Sequence, residues 1–108
     1  MNTAPGPATM KRFEDPERVE VTVGERFAVV LSGNGVGGYL WRPEELPAAL
    51  RLHGERDLAP ASAAPGAAGA KEFELEATTA GTSAARFALR RDWEAGAART
   101  RDVAVHAS

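Results

Sequence analysis

Residues 71–77 read Lys-Glu-Phe-Glu-Leu-Glu-Ala, and no other stretch of the chain restricts the fold as sharply. Phe73, Leu75 and Ala77 alternate with Glu72, Glu74 and Glu76. A period of two places the apolar set on one face of a strand and the carboxylates on the other. A helix would scatter both sets around its circumference. The segment is therefore a half-buried strand with an acidic outer face. The same period recurs along the chain. Val19, Val21 and Val23 alternate with Glu20 and Thr22, and Ala85, Phe87 and Leu89 with Arg86, Ala88 and Arg90. Phe27, Val29 and Leu31 alternate as well, but Ala28 and Val30 between them are apolar, the mark of a strand buried on both faces. Tyr39–Trp41 begins another strand, Leu50, Leu52 and Leu58 mark a further one, and Val103 and Val105 carry the last.

Turn signals separate these runs. Gly24-Glu25 and Gly81 read as tight turns, and Pro43 and Pro47 bracket a short irregular piece. Four glycines fall between Gly33 and Gly38. Residues 59–70 are small, low-complexity residues, and their two prolines and two glycines oppose a helix. About seven short strands at regular spacing, with no helical pattern, predict an all-β fold, an antiparallel β-sandwich. Residues 1–17 read as a disordered N-terminal segment and residues 18–108 as one domain.

Composition removes several classes of function. With no cysteine there is neither a disulfide nor a thiol nucleophile. No histidine stands beside a serine or threonine near the loops to act as base, and Glu44 and Glu45 point apart on a strand. The reading is not an enzyme, and no cofactor is called for. His53 and His106 are isolated and lack ligand spacing, so no metal is expected. The net charge is −2, and Arg86, Arg90, Arg91, Arg99 and Arg101 interleave with Asp92, Glu94 and Asp102, which speaks for cross-strand pairing and against nucleic acid. No apolar run approaches the roughly 18 residues of a membrane helix, so no membrane partner is expected. Residues 1–12 lack the apolar core of a signal peptide. The expected location is cytoplasmic, or secreted or periplasmic if a leader has been removed. The expected state is a monomer.

Three segments suit binding. In Gly33–Gly38, glycine permits positive φ and thus a shaped tip, with Tyr39 packing at its base and Trp41 entering the core. The side chain of Asn34 is suited to stabilising that turn. Trp93 sits among Arg90, Arg91, Asp92 and Glu94, where no alternation buries it, and an exposed tryptophan is a typical binding anchor.

These segments also carry a family resemblance. Asn34-Gly35-Val36-Gly37-Gly38-Tyr39-Leu40-Trp41 resembles the Asn-Pro-Thr-Thr-Gly-Tyr-x-Trp motif of the chagasin-type inhibitors of papain-like cysteine peptidases. Gly66-Ala67-Ala68-Gly69, followed by Phe73, is similar to that family's Gly-x-Gly-Gly loop, and Arg91-Asp92-Trp93 resembles its Arg-Pro-Trp loop. The departures are Gly35 for proline, Val36 and Gly37 for the threonines, Ala68 for glycine and Asp92 for proline. The resemblance spans roughly residues 19–107 and implies an immunoglobulin-like sandwich whose three loops (33–38, 65–70 and 90–95) enter the target's active-site cleft. It implies that Asn34, Gly35, Val36, Gly37 and Gly38 lie across the catalytic cysteine. Gly66, Ala67, Ala68 and Gly69 then run along the cleft, and Arg91, Asp92 and Trp93 pack on its other side. The function so implied is reversible, non-covalent inhibition of a papain-like cysteine peptidase. The alternative is a non-inhibitory immunoglobulin-like module that binds another protein or peptide with the same loop end.

Overall fold

A computed structural model describes residues 10–60 and 67–108. Among the described residues, eight strands form two four-stranded sheets that face one another. The strands are β1 (Lys11–Glu14), β2 (Arg18–Val21), β3 (Arg26–Asn34), β4 (Leu40–Glu45), β5 (Leu50–Leu58), β6 (Gly69–Ala77), β7 (Gly81–Arg90) and β8 (Ala97–Ala107). One sheet has the order β1-β3-β6-β5 and the other β2-β8-β7-β4. The inner faces are those the period-two pattern selects. Phe27, Val29, Leu31, Phe73 and Leu75 from the first sheet meet Val19, Trp41, Phe87, Val103 and Val105 from the second, and all are fully buried. The Phe73 and Phe87 rings lie 4.6 Å apart between centroids. Ala28 and Val30 are buried too, as the unbroken apolar run of β3 requires of a strand between two neighbours.

The carboxylates of β6 find basic side chains on the other strands of their sheet. Arg56 reaches Glu72 at 2.7 Å and Arg12 at 3.4 Å, Arg26 reaches Glu74 at 2.9 Å, and His53 reaches Glu76 at 2.7 Å. Glu72 is buried beneath its two arginines. On the other sheet, Arg86 and Asp102 face each other in register at 2.8 Å. Their hydrogen bond, aided by their opposite charges, holds the Asp102 carboxyl below its ordinary pKa and the Arg86 guanidinium above its own.

Within the segment 1–17 expected to be disordered, Lys11–Glu14 forms a strand. Residues 1–9 lie outside the described residues, but Lys11–Glu14 pairs in parallel with β3, and Phe13 meets Phe27 edge-to-face at 6.2 Å. Arg18–Val21 pairs in parallel with β8 of the other sheet. The N-terminal stretch thus crosses between sheets at Asp15–Glu17, which accounts for eight strands instead of seven and for two parallel pairs in an otherwise antiparallel fold. Asp15 makes the corner at φ 46°. Its carboxylate accepts from the backbone N–H of Ser32 (3.0 Å) and from the Ser32 hydroxyl (2.8 Å), and its carbonyl accepts from Arg101 (3.1 Å). A four-residue strand with one apolar side chain has no period to reveal it. Pro43 also departs from expectation. It lies within β4, where an edge strand has no further partner to receive the missing N–H.

Two bulges position the functional end. In β3, Gly33 (φ 97°) is an extra residue between Ser32 and Asn34, so Asn34 turns inward opposite Gly69. In β5, the register shifts between Leu52 and Gly54. Leu50 and Leu52 face the core, while beyond the shift Glu55 and Asp57 come into that phase opposite Phe73 and Lys71, at the edge of the sheet where both carboxylates stay exposed. Because β6 is antiparallel to both β3 and β5, and β7 to both β4 and β8, the connections β3–β4, β5–β6 and β7–β8 gather at one end of the sandwich.

Candidate functional site

The β3–β4 connection is a single 3-10 turn, Val36–Gly38. The backbone N–H of Gly35 donates to the Tyr39 carbonyl (2.6 Å), and that of Tyr39 donates to the Val36 carbonyl (3.1 Å). Gly35, Gly37 and Gly38 all have positive φ, at 95°, 64° and 82°. Val36 stands at the tip and is 43% exposed. Asn34 is 6% exposed, and its side chain is committed inside the protein. Its Oδ1 accepts from the backbone N–H of Trp41 (2.9 Å), and its Nδ2 donates to Asp57 (3.2 Å). Of the residues the resemblance assigns to target contact, Asn34 thus serves the frame beneath the turn. Trp41 is fully buried, and its indole N–H donates to the Ser32 carbonyl (2.8 Å). One short strand segment therefore supplies both a core anchor and the stem of the turn.

The β7–β8 connection packs directly on this turn. The Trp93 ring lies over Gly38, where a Cβ would come within 2.6 Å of its Cη2 atom. Gly38 is thus required twice, by its φ and by the ring above it. Trp93 nevertheless presents 71% of its surface to solvent. The Arg91 guanidinium sits 4.3 Å above the Tyr39 ring and 5.6 Å from the Trp93 ring, at cation–π distance from both. Its Nε donates to Glu94 (2.9 Å), and that bond holds the guanidinium above its ordinary pKa against the smaller opposing effect of burial. Asp92 accepts from Arg42 on β4 (2.9 Å), and Arg90 reaches Glu44 at 3.3 Å. The charges of this connection are therefore paired within the protein, and the large apolar side chains exposed at the tip are Trp93 and Val36.

The β5–β6 connection is described in part. Gly66 lies outside the described residues. Ala68 is exposed and Ala67 half-buried. Gly69 opens β6 opposite Asn34, and a Cβ there would run into the Leu58 carbonyl oxygen. Gly69 therefore closes the stem of the loop, pinching β5 against β6 beneath it. The first and third connections touch through Trp93–Gly38 and Arg91–Tyr39, and the second joins them through Gly69–Asn34. Asp57, Lys71 and Arg42 escape sequence reasoning. The β5 register shift reverses the phase that would place Asp57, and the Arg42–Asp92 pair spans 50 residues.

Comparison with known proteins agrees with this geometry. The model of the family described as "Chagasin family peptidase inhibitor I42" matches residues 20–106. The fold is similar to that of the cysteine protease inhibitor EhICP2 from Entamoeba histolytica, with a TM-score of 0.71 and 19% identity over 92% of this chain and 96% of that one. It is similar to amebosin in solution, with a TM-score of 0.71 and 22% identity over 92% and 98% of the two chains. It also resembles PbICP-C, whose structure was solved in complex with falcipain-2, with a TM-score of 0.60 and 13% identity over 93% of each chain. No curated protein matches the sequence.

Proposed function

The chain belongs to the chagasin family of peptidase inhibitors, and from that membership we propose how its own residues act on a papain-like cysteine peptidase. The protein inhibits reversibly and without a covalent step, by seating the end formed by the three connections in the active-site cleft. The observation that carries this reading is the apolar tip, in which an exposed Trp93 is braced over a rigid glycine turn beside Val36. Trp93 packs against one wall of the cleft, Gly35–Gly38 lies over the catalytic cysteine, and residues 66–69 follow the cleft on the other side. A rigid tip loses little conformational freedom on binding, so a larger share of the contact energy appears as affinity.

The turn also accounts for why such a loop blocks a peptidase without being cut. Extended peptides dock by offering a straight run of main-chain donors and acceptors. Positive φ at Gly35, Gly37 and Gly38, with the Gly35–Tyr39 hydrogen bond, keeps residues 35–39 folded back on themselves. No extended scissile segment is presented at the tip.

The test is a titration of papain and of a cathepsin L-type peptidase with the purified protein. The expected result is competitive inhibition that is relieved on dilution and leaves the inhibitor uncleaved. Absence of inhibition at high micromolar concentration, or time-dependent cleavage within residues 33–38, overturns the reading.

A further inference from the structure

We propose that Asp57 is a positioning residue that couples the first and second binding loops, with Lys71 holding its carboxylate in place. This rests on the reading of the loop end as the inhibitory face. The coupling itself is a property of the free protein.

Asn34 carries a buried side-chain amide at the junction of the two sheets. On one side its Oδ1 takes the Trp41 N–H of β4, across the sandwich from its own strand. On the other its Nδ2 donates to Asp57 Oδ1 of β5, at 3.2 Å. The same Asp57 oxygen lies 3.1 Å from the Lys71 ammonium, which also reaches Glu55 at 3.5 Å. Lys71 stands directly opposite Asp57 in the β5–β6 ladder and is largely covered, with 13% of its side chain exposed. Asp57 precedes Leu58, the last residue of β5, and Leu58 is in turn pressed against Gly69 at the start of β6. Polar contacts therefore run from Lys71 and Asp57, beside the stem of the second loop, through Asn34 to the Trp41 N–H on β4, just beyond the first loop.

The orientation of Asn34 depends on these contacts. A terminal amide can present oxygen or nitrogen on either side, and only one choice suits Trp41, which needs an acceptor. A carboxylate at Asp57 accepts and cannot donate, so it fixes the Nδ2 group on its own side and leaves Oδ1 for Trp41. Lys71 supplies the positive charge that keeps this carboxylate beside a buried amide. Both devices rest on the β5 register shift, which brings Asp57, its side chain still 67% exposed, opposite Lys71 and within reach of the Asn34 amide.

The experiment is amide hydrogen exchange followed by NMR on wild type, Asp57→Ala, Asp57→Asn and Lys71→Met, with Ki for papain measured on the same samples. The coupling predicts that Asp57→Ala speeds exchange of the Trp41 amide by about tenfold, while Val29 and Phe73 in the core keep their protection. Asp57→Asn keeps an acceptor for Asn34 and restores part of the Trp41 protection. Lys71→Met gives an intermediate loss. With the loop freed, Ki for papain rises about three- to tenfold in Asp57→Ala. Unchanged Trp41 exchange in both Asp57→Ala and Lys71→Met overturns the proposal. Equal loss of protection at Trp41, Val29 and Phe73 also overturns it, because that is general destabilisation. A wild-type protein that does not inhibit papain, together with faster Trp41 exchange in Asp57→Ala, supports the coupling and removes the peptidase reading alone.

Discussion

Residues 35–39 keep their shape through main-chain hydrogen bonds above a buried amide, whereas residues 91–94 add side-chain ion pairs in contact with water to a single main-chain bond, from the Glu94 N–H to the Arg91 carbonyl (3.1 Å). In the first turn the donors are backbone N–H groups of Gly35, Tyr39 and Trp41, and Asn34 beneath it is inaccessible to solvent. In the second, Arg91 pairs with Glu94 and Arg42 with Asp92, and all four side chains remain in part exposed. The two turns touch where Trp93 and Arg91 rest on Gly38 and Tyr39. The difference teaches how the work is divided. The hydrogen bond beneath the first turn, from the Trp41 N–H to Asn34, is buried and has no water to replace it, so breaking it acts on the whole fold. An exposed ion pair is screened and replaceable, so breaking one in the second turn moves Trp93 with little effect on folding.

Three substitutions test this division, in falling order of effect. Asn34→Ala removes the acceptor for the Trp41 N–H and leaves that donor buried without a partner. It is expected to lower the unfolding free energy by about 2–3 kcal/mol and Tm by about 10 °C or more. Urea denaturation and a thermal melt measure both. A loss below about 0.5 kcal/mol would mean that water reaches Trp41 and that the first turn is no drier than the second.

Trp93→Ala is the converse case. The ring is 71% exposed in the free protein, and the proposed binding mode covers it in the complex, so its removal is expected to act mainly on binding. Affinity for a papain-like peptidase is expected to fall by more than about 1 kcal/mol, with unfolding free energy held within about 0.5 kcal/mol of wild type. Unchanged affinity removes Trp93 from the binding face. Equal losses in affinity and stability would show that its packing on Gly38 matters as much to the fold as to the target.

The contrast between the turns also marks what the sequence makes legible. Period-two alternation identifies the core residues of β3, β6, β7 and β8 directly, because one face of each strand must leave water. The glycine spacing of 33–38 and the lone tryptophan at 93 identify the tip, because positive φ and an exposed ring are local properties of a few residues. What lies between is hidden by geometry that local patterns do not encode. The extra residues in β3 and β5 reverse the phase, so Asn34 turns inward and Asp57, though exposed, comes opposite Lys71. The crossover at Asp15 hides β1, since a strand of Lys-Arg-Phe-Glu shows no alternation until Phe13 is seen against Phe27. Gly69 reads as a loop glycine in sequence, yet its place is set by the Leu58 carbonyl across the ladder.

The smallest expected effect belongs to Arg42→Met, which unpairs Asp92. The pair lies between two exposed side chains, so its worth is at most about 1 kcal/mol and falls with added salt. The family places proline where this chain has Asp92, and proline restrains a loop by fixing φ at no electrostatic cost. An ion pair to β4 restrains the same position from outside the loop, and it does so only while the charges are unscreened. In Arg42→Met, Ki for the peptidase is therefore expected to rise by less than about fivefold at low ionic strength. The gap from wild type should close as salt shortens the Debye length to about 3 Å near 1 M. Wild type itself should weaken over the same range and approach the variant. An Asp92→Pro substitution supplies the missing control, because it restrains the loop covalently and should bind with little dependence on salt. If wild type, Arg42→Met and Asp92→Pro share one salt profile, Trp93 is held by its packing on Gly38 alone. The second turn would then be shaped by the first.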